Sequence, residues 1–220
     1  MLILALDTAT DKGSVALVAD AVTVAEIFLE SQGTYLTRLL PGVQSLLQDA
    51  GREPAALDAV AVSTGPGNFT GLRIGLATAK TLAWSLGCPL VPVPTLEVLA
   101  AQFPYQSLPI GVVLDAKRGE IFWGLFRCPQ EDPETLEEPQ RLAMAGLAAK
   151  LLPPMMLTGP ALDAHAELWP MKLPPGISLA PPEMRSPRAA TLARLARRRL
   201  EQGRTAPPEQ LTPTYLRPAL

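Results

Sequence analysis

Two pairs of segments recur in the same order along this chain, and that repetition limits its fold more than any other property of the sequence. Leu6-Asp7 followed by Gly13-Ser14-Val15 corresponds to Leu114-Asp115 followed by Gly119-Glu120-Ile121, with a shorter loop in the second copy. Thr64-Gly65-Pro66, after an apolar run, returns as Thr158-Gly159-Pro160 after Met155-Met156-Leu157. Two echoes in one order point to a duplicated supersecondary unit. In the first copy, apolar runs at 2–6, 13–18 and 22–29 joined by tight turns predict an antiparallel meander. Leu36, Leu39, Leu40, Val43, Leu46 and Leu47 then recur at steps of three and four, the stripe of an amphipathic helix over 36–47 that Pro41 kinks or begins. A strand over 57–63, a glycine loop over 64–69, a helix over 70–86, a strand over 89–92 and a helix over 95–102 complete a βββαβα unit. The second copy opens with strands over 110–114 and 120–126. This predicts an α/β protein of two domains, 1–105 and 106–220, with the C-terminal tail returning to the first.

Composition removes several function classes. Hydrophobic residues make up 48% of the 220 and mean hydropathy is +0.19, which excludes disorder. Lysine and arginine number 19 against 21 acids, so no global positive field draws nucleic acid or anionic membrane. Cys88 and Cys128 stand forty positions apart without a CxxC pair, which fits a reducing cytoplasm. No apolar run approaches the roughly 20 residues of a membrane span. His165 is the single histidine, so no His-His metal site is available, and no Gly-x-Ser-x-Gly elbow accompanies it. The 24 prolines are roughly twice the usual share, and the doublets Pro153-Pro154, Pro174-Pro175, Pro181-Pro182 and Pro207-Pro208 read as stiffened loops.

Three places carry candidate chemistry. Residues 64–71 form a glycine-rich turn between strand and helix, the form that offers backbone N–H groups to phosphate, although they match neither a Walker nor a GxGxxG pattern. The plainer reading is a tight turn with Thr70 as helix cap. Asp7 at the end of the first strand suits a metal-bound water or a phosphate, or simply caps its turn. In the helix over 70–86 the charged residues are Arg73 and Lys80 alone. Gly71, Gly75, Thr78 and Leu82 form one stripe, and Leu72, Leu76, Ala79 and Ala83 another, so one face packs on the sheet while the other needs a second cover. Glycines four apart invite a helix of a partner subunit, and a bulky residue at Gly75 is then expected to weaken assembly while the monomer stays folded. The final helix, over 187–202, carries Arg194, Arg197, Arg198, Arg199 and Arg204 as a solvated basic face.

Leu6-Asp7-Thr8-Ala9-Thr10, Arg38-Leu39-Leu40-Pro41, the block from Thr64 through Gly65-Pro66-Gly67-Asn68-Phe69-Thr70-Gly71-Leu72-Arg73-Ile74-Gly75 to Lys80, Leu114-Asp115-Ala116-Lys117-Arg118-Gly119-Glu120 and Pro213-Thr214-Tyr215-Leu216-Arg217 together resemble the bacterial TsaB (YeaZ) family. Many members have His-Ser-Glu-Arg where this chain has Tyr35-Leu36-Thr37-Arg38. The resemblance implies a duplicated actin-like, sugar-kinase-like (ribonuclease-H-like) fold. It implies an accessory scaffold in threonylcarbamoylation of the adenosine beside the anticodon, in tRNAs reading codons that start with A. In that family TsaD is the catalytic subunit, with a metal held by His-x-x-x-His, and TsaE is an ATPase. A non-catalytic, cytoplasmic subunit with no cofactor of its own follows, one that forms a heterodimer with TsaD, works with TsaE, forms a homodimer in isolation and meets tRNA only through the complex. The partner interface is then expected at Leu36, Leu39, Leu40, Val43, Gly71, Ile74, Gly75, Thr78 and Leu82. Asp7, Thr8, Gly65 and Gly67 stand as a vestigial cofactor site, with no catalytic residue and no metal ligand. The competing readings are a small-molecule kinase or ATPase using Asp7, Thr8 and the glycine loop, and a tRNA-binding module using Arg194 to Arg204.

Overall fold

Each copy of the repeat forms a five-stranded mixed sheet, and the two sheets share one topology. The computed structural model describes residues 1–30, 35–166 and 173–216. In the first sheet β1 (Leu2–Asp7), β2 (Lys12–Ala19) and β3 (Val22–Glu30) form the antiparallel meander, while β4 (Ala59–Ser63) and β5 (Leu90–Val93) run parallel to β1, in the order β3-β2-β1-β4-β5. In the second sheet β6 (Gln106–Lys117), β7 (Glu120–Cys128) and β8 (Glu134–Ala143) are antiparallel. There β9 (Met155–Thr158) and β10 (Ile177–Leu179) run parallel to β6, in the order β10-β9-β6-β7-β8. The duplicated α/β architecture expected from the echoes is the one observed.

All six residues of β1 and all five of β4 are buried, as central parallel strands must be when both faces of a sheet are covered. One face is covered by α1 (Tyr35–Asp49) and α2 (Phe69–Leu86). Helix α1 carries Pro41 in its interior and buries Tyr35, Leu39, Val43, Leu46 and Leu47. The other face is covered by the final helix α5 (Ala189–Glu201), through Leu192, Ala193, Leu195 and Ala196. Its N-terminus has no local side-chain cap. Ser14 Oγ accepts from the Ala189 N–H at 2.8 Å and Glu26 accepts from the Ala190 N–H at 3.0 Å, so donors left over by the helix are satisfied from β2 and β3. Glu26 also pairs with Arg188.

The chain accordingly divides into a first unit, Met1–Val98 with Pro187–Thr214, and a second, Leu99–Ser186 with Tyr215 and Leu216. This differs from a division at 105/106, because the apolar stripe of α5 is buried on the first sheet. Among the described residues of the second unit, the helices between strands are a 3-10 segment, Met144–Lys150, and a four-residue α4 (Ala161–Ala164). A short helix α3 (Thr95–Ala100) follows β5. No helix among the described residues is long and apolar enough to cross a membrane.

Candidate functional site: a sealed glycine loop and an outward helical face

Parallel pairing of Leu6 with Val62 sets the ends of β1 and β4 side by side, so Asp7-Thr8 meets Ser63-Thr64 and the glycine loop that follows. The four residues named for a cofactor site, Asp7, Thr8, Gly65 and Gly67, are therefore gathered in one place. Asp7, Thr8 and Gly65 are buried and Gly67 is half-buried. The loop is drawn shut by its own hydrogen bonds. The Thr64 N–H donates to Val93 O at 2.9 Å, the Gly65 N–H to Thr95 Oγ1 at 3.1 Å and the Asn68 N–H to Ala9 O at 2.7 Å. Asn68, not Thr70, caps α2: its Oδ1 accepts from the Gly71 N–H at 2.9 Å. A phosphate at a helix N-terminus needs free N–H donors, and in the first turn of α2 the Gly71 and Leu72 N–H groups donate to Asn68 Oδ1 and Asn68 O.

Gly67 and Gly71 explain themselves by the same closure. A Cβ on either would overlap a carbonyl oxygen of the β1–β2 turn, that of Ala9 or Thr8. At Gly75 it would overlap Thr8 Oγ1, whose hydroxyl donates to Gly71 O at 2.8 Å. Tyr35, in the position where many TsaB proteins have histidine, is wedged over Gly13 and donates its hydroxyl to Thr10 O at 2.6 Å. The glycines thus admit this chain's own β1–β2 turn, which corrects the expectation that they admit a partner's helix.

Asp7 is the one charged group inside this knot. Its Oδ1 accepts from the Ala9 N–H at 3.1 Å, while Oδ2 and the Ser63 hydroxyl oxygen are buried near one another, close enough to interact but outside hydrogen-bond geometry. Burial pushes the carboxyl up to about 6, against the restraint of the Ser63 hydroxyl and the Ala9 N–H. A proton held more tightly by the folded than by the unfolded chain stabilises fully below the unfolded value near 4, and that stabilisation is lost as pH rises through about 6. Asp7→Asn, neutral at every pH, is expected to be more stable than the parent at pH 8 by about 2 kcal/mol. The two should converge near pH 4, as read from urea midpoints at both values.

The second copy handles its echo differently. Asp115, two residues before the end of β6, accepts from the Lys117 N–H at 2.7 Å and from Lys117 Nζ at 2.8 Å. Partial burial works to raise its carboxyl, but these bonds outweigh it and hold the group below the usual range. His165, just after α4, places Nε2 4.0 Å from Asp115 Oδ1. No group of three or more metal-ligating side chains forms among the described residues. Gly159 repeats Gly65 in conformation, with φ of +121° against +110°, so the Thr-Gly-Pro echo marks a left-handed turn after a buried strand in both units.

Of the nine residues expected at a partner interface, Leu39, Val43, Gly71 and Gly75 are buried within the chain and are corrected to core positions. Helical periodicity turns Leu39 and Val43 to the sheet, and Gly71 and Gly75 to Thr8. Leu36 and Leu40 are exposed, 77% and 49%, and Ile74, Thr78 and Leu82 are half-buried on the flank of α2 that adjoins α1. The sequence reading missed Phe69 and Trp84, 45% and 79% exposed at the two ends of α2, with the Arg73 guanidinium 4.0 Å over the Phe69 ring. Their signal was available in the helical wheel, which sets Arg73, Ala77 and Trp84 on one outward line. The basic face of α5 is partly neutralised: Arg199 binds Glu97 and Pro92 O, and Arg197 pairs with Glu201.

A family model described as TsaD, tRNA N6-adenosine threonylcarbamoyltransferase, matches residues 30–217. The tRNA threonylcarbamoyladenosine biosynthesis protein TsaB of Bacillus subtilis (strain 168) is 32% identical over 220 residues, covering 99% of this chain and 94% of its own length. The structure of YeaZ from Pseudomonas aeruginosa superposes with a TM-score of 0.80 at 28% identity, over 97% of this chain and 99% of that one. Component A of the (R)-2-hydroxyglutaryl-CoA dehydratase of Acidaminococcus fermentans shares the fold alone, with a TM-score of 0.53 at 8% identity over 91% of this chain and 99% of that one.

Proposed function

Because the chain belongs to the TsaB family of tRNA threonylcarbamoyladenosine biosynthesis proteins and has a role in that modification, we propose that it works there as a non-catalytic scaffold. Its outward face on α1 and α2 docks on catalytic TsaD, with TsaE completing the set, and tRNA is met through the assembly. The observation that supports this most is the pairing of exposed Leu36, Leu40, Phe69 and Trp84 with half-buried Ile74 on two adjacent helices. Exposed apolar and aromatic side chains on a pair of touching helices have the composition of a protein interface. A paralogue presenting a similar helix pair suits the same surface, and so does a second copy in isolation. The transfer itself goes to the adenosine beside the anticodon of tRNAs reading codons that begin with A, and is assigned to TsaD.

The kinase or ATPase reading is disfavoured by the closed loop, where the N–H groups of Thr64, Gly65, Asn68 and Gly71 are already engaged. Reconstitution tests both readings. With TsaD, TsaE, ATP, tRNA and an activated threonylcarbamoyl donor present, omission of this chain is expected to lower formation of the modified nucleoside by at least roughly tenfold. This chain alone with ATP and magnesium should show no turnover and no calorimetric heat of binding. Full modification in its absence, or turnover by the chain alone, would overturn the scaffold reading.

A further inference from the structure

The residues after α5 cross the first unit as a ribbon with one turn in it, closed by the Gln210 N–H donating to Pro207 O at 3.0 Å. Ala206 forms an antiparallel bridge with Leu90, donating its N–H to Leu90 O at 2.9 Å, and so lies along the outer edge of β5. Leu211 packs its side chain on the first core while its carbonyl accepts from Lys80 Nζ at 3.1 Å. Thr214 donates its N–H to Thr64 O at 2.7 Å, and its carbonyl lies 2.7 Å from where a Cβ of Gly65 would stand. No residue from 201 to 214 is buried; Ala206, Pro208, Leu211 and Pro213 are half-buried and the rest exposed. Ten residues held by three such contacts and little burial belong to the low-stability end of a fold.

We propose that residues 205–214 are a detachable strap, and that the groove beneath them is a binding site for a peptide with one turn between two extended ends, which this chain fills with its own residues 205–214. The groove has the parts such a site requires: a strand edge at β5, a carbonyl acceptor at Thr64, an ammonium donor at Lys80 and an apolar seat for one side chain. The peptide it takes has an apolar residue followed, three positions on, by a free backbone N–H. Pro207, Pro208 and Pro213 limit the conformations of the free strap and so reduce the entropy lost on docking. Lys80, one of two charged residues on α2, has a use here that is independent of the outward face.

The test uses the full chain with the strap disabled by Leu211→Asp and Thr214→Pro, and a fluorescent peptide copy of residues 205–214 as probe. The peptide is expected to bind the strap variant saturably and the parent chain at least roughly tenfold more weakly, since the parent's own strap competes. Adding Lys80→Met to the strap variant should weaken the peptide by about tenfold, in line with loss of a charged hydrogen bond. Absence of binding to the strap variant, equal binding to parent and variant, or indifference to Lys80→Met would each overturn the proposal. Amide exchange on the unmodified chain gives a check that needs no variant. The Ala206 and Thr214 amides are expected to exchange at least roughly 100-fold faster than those of β1 and β4, and equal protection would make the strap an inseparable part of the unit.

Discussion

Replacing Gly75 by valine is expected to cost the first unit about 3–5 kcal/mol, the sum of overpacking and of a buried hydrogen bond lost at Thr8. For a chain of this size that is a fall of about 10 °C in Tm. The added Cβ would overlap Thr8 Oγ1, and Thr8 is fully buried with its hydroxyl bonded to Gly71 O, so neither group can retreat without breaking that bond. Gly75→Ala isolates the steric effect, because alanine otherwise gains about 1 kcal/mol over glycine in a helix interior. In the double variant Gly75→Ala, Thr8→Ala the offending oxygen is gone and the nearest remaining atom is Thr8 Cβ at 3.3 Å. That variant should be more stable than Gly75→Ala alone, a rescue that denaturant titration of the four members of the cycle would reveal. Additive losses would mean that Gly75 and Thr8 are not in contact.

Leu36→Asp with Leu40→Asp is expected to weaken binding to TsaD by roughly 100-fold or more, because two carboxylates would be carried into an apolar contact. Both side chains are exposed, so the circular dichroism and Tm of the isolated chain should hardly move. Gln48→Asp, exposed at the last position but one of α1, is the control for added charge and should leave affinity unchanged. Titration calorimetry against TsaD measures all three. An unchanged affinity for the double variant would remove this face from the assembly.

Much of the architecture was legible because it is written in local patterns. The echo of Leu6-Asp7 by Leu114-Asp115 marks the end of β1 and a point two residues before the end of β6, and the Thr-Gly-Pro echo marks the ends of β4 and β9. Strand β8 was not legible. Its sequence, with Glu134, Glu137, Glu138 and Pro139, has no apolar alternation because the strand is a solvent-facing edge. It is held instead by ion pairs such as Arg127–Glu134 and by Trp123 Nε1 donating to Glu137 at 3.0 Å. The capping of α5 by Ser14 and Glu26 was equally hidden, since no local rule links residues so far apart. Within the candidate site, the glycine spacing of α2 correctly signalled close approach but not what approaches. Only the folded β1–β2 turn identifies Thr8 as the neighbour, and the interface residues must then be read from the opposite side of the helix.

The placement of α5 also sets an order of events during synthesis. Ala189 and Ser14 stand 175 positions apart in sequence, yet one closes the helix that shields the strand bearing the other. A ribosome that has released β1 through β5 holds a sheet with one bare greasy side, and it keeps that side bare while the whole second unit is made. The nascent first unit is therefore unfinished until α5 has been made, and a chain cut short before residue 189 lacks the helix that covers this side.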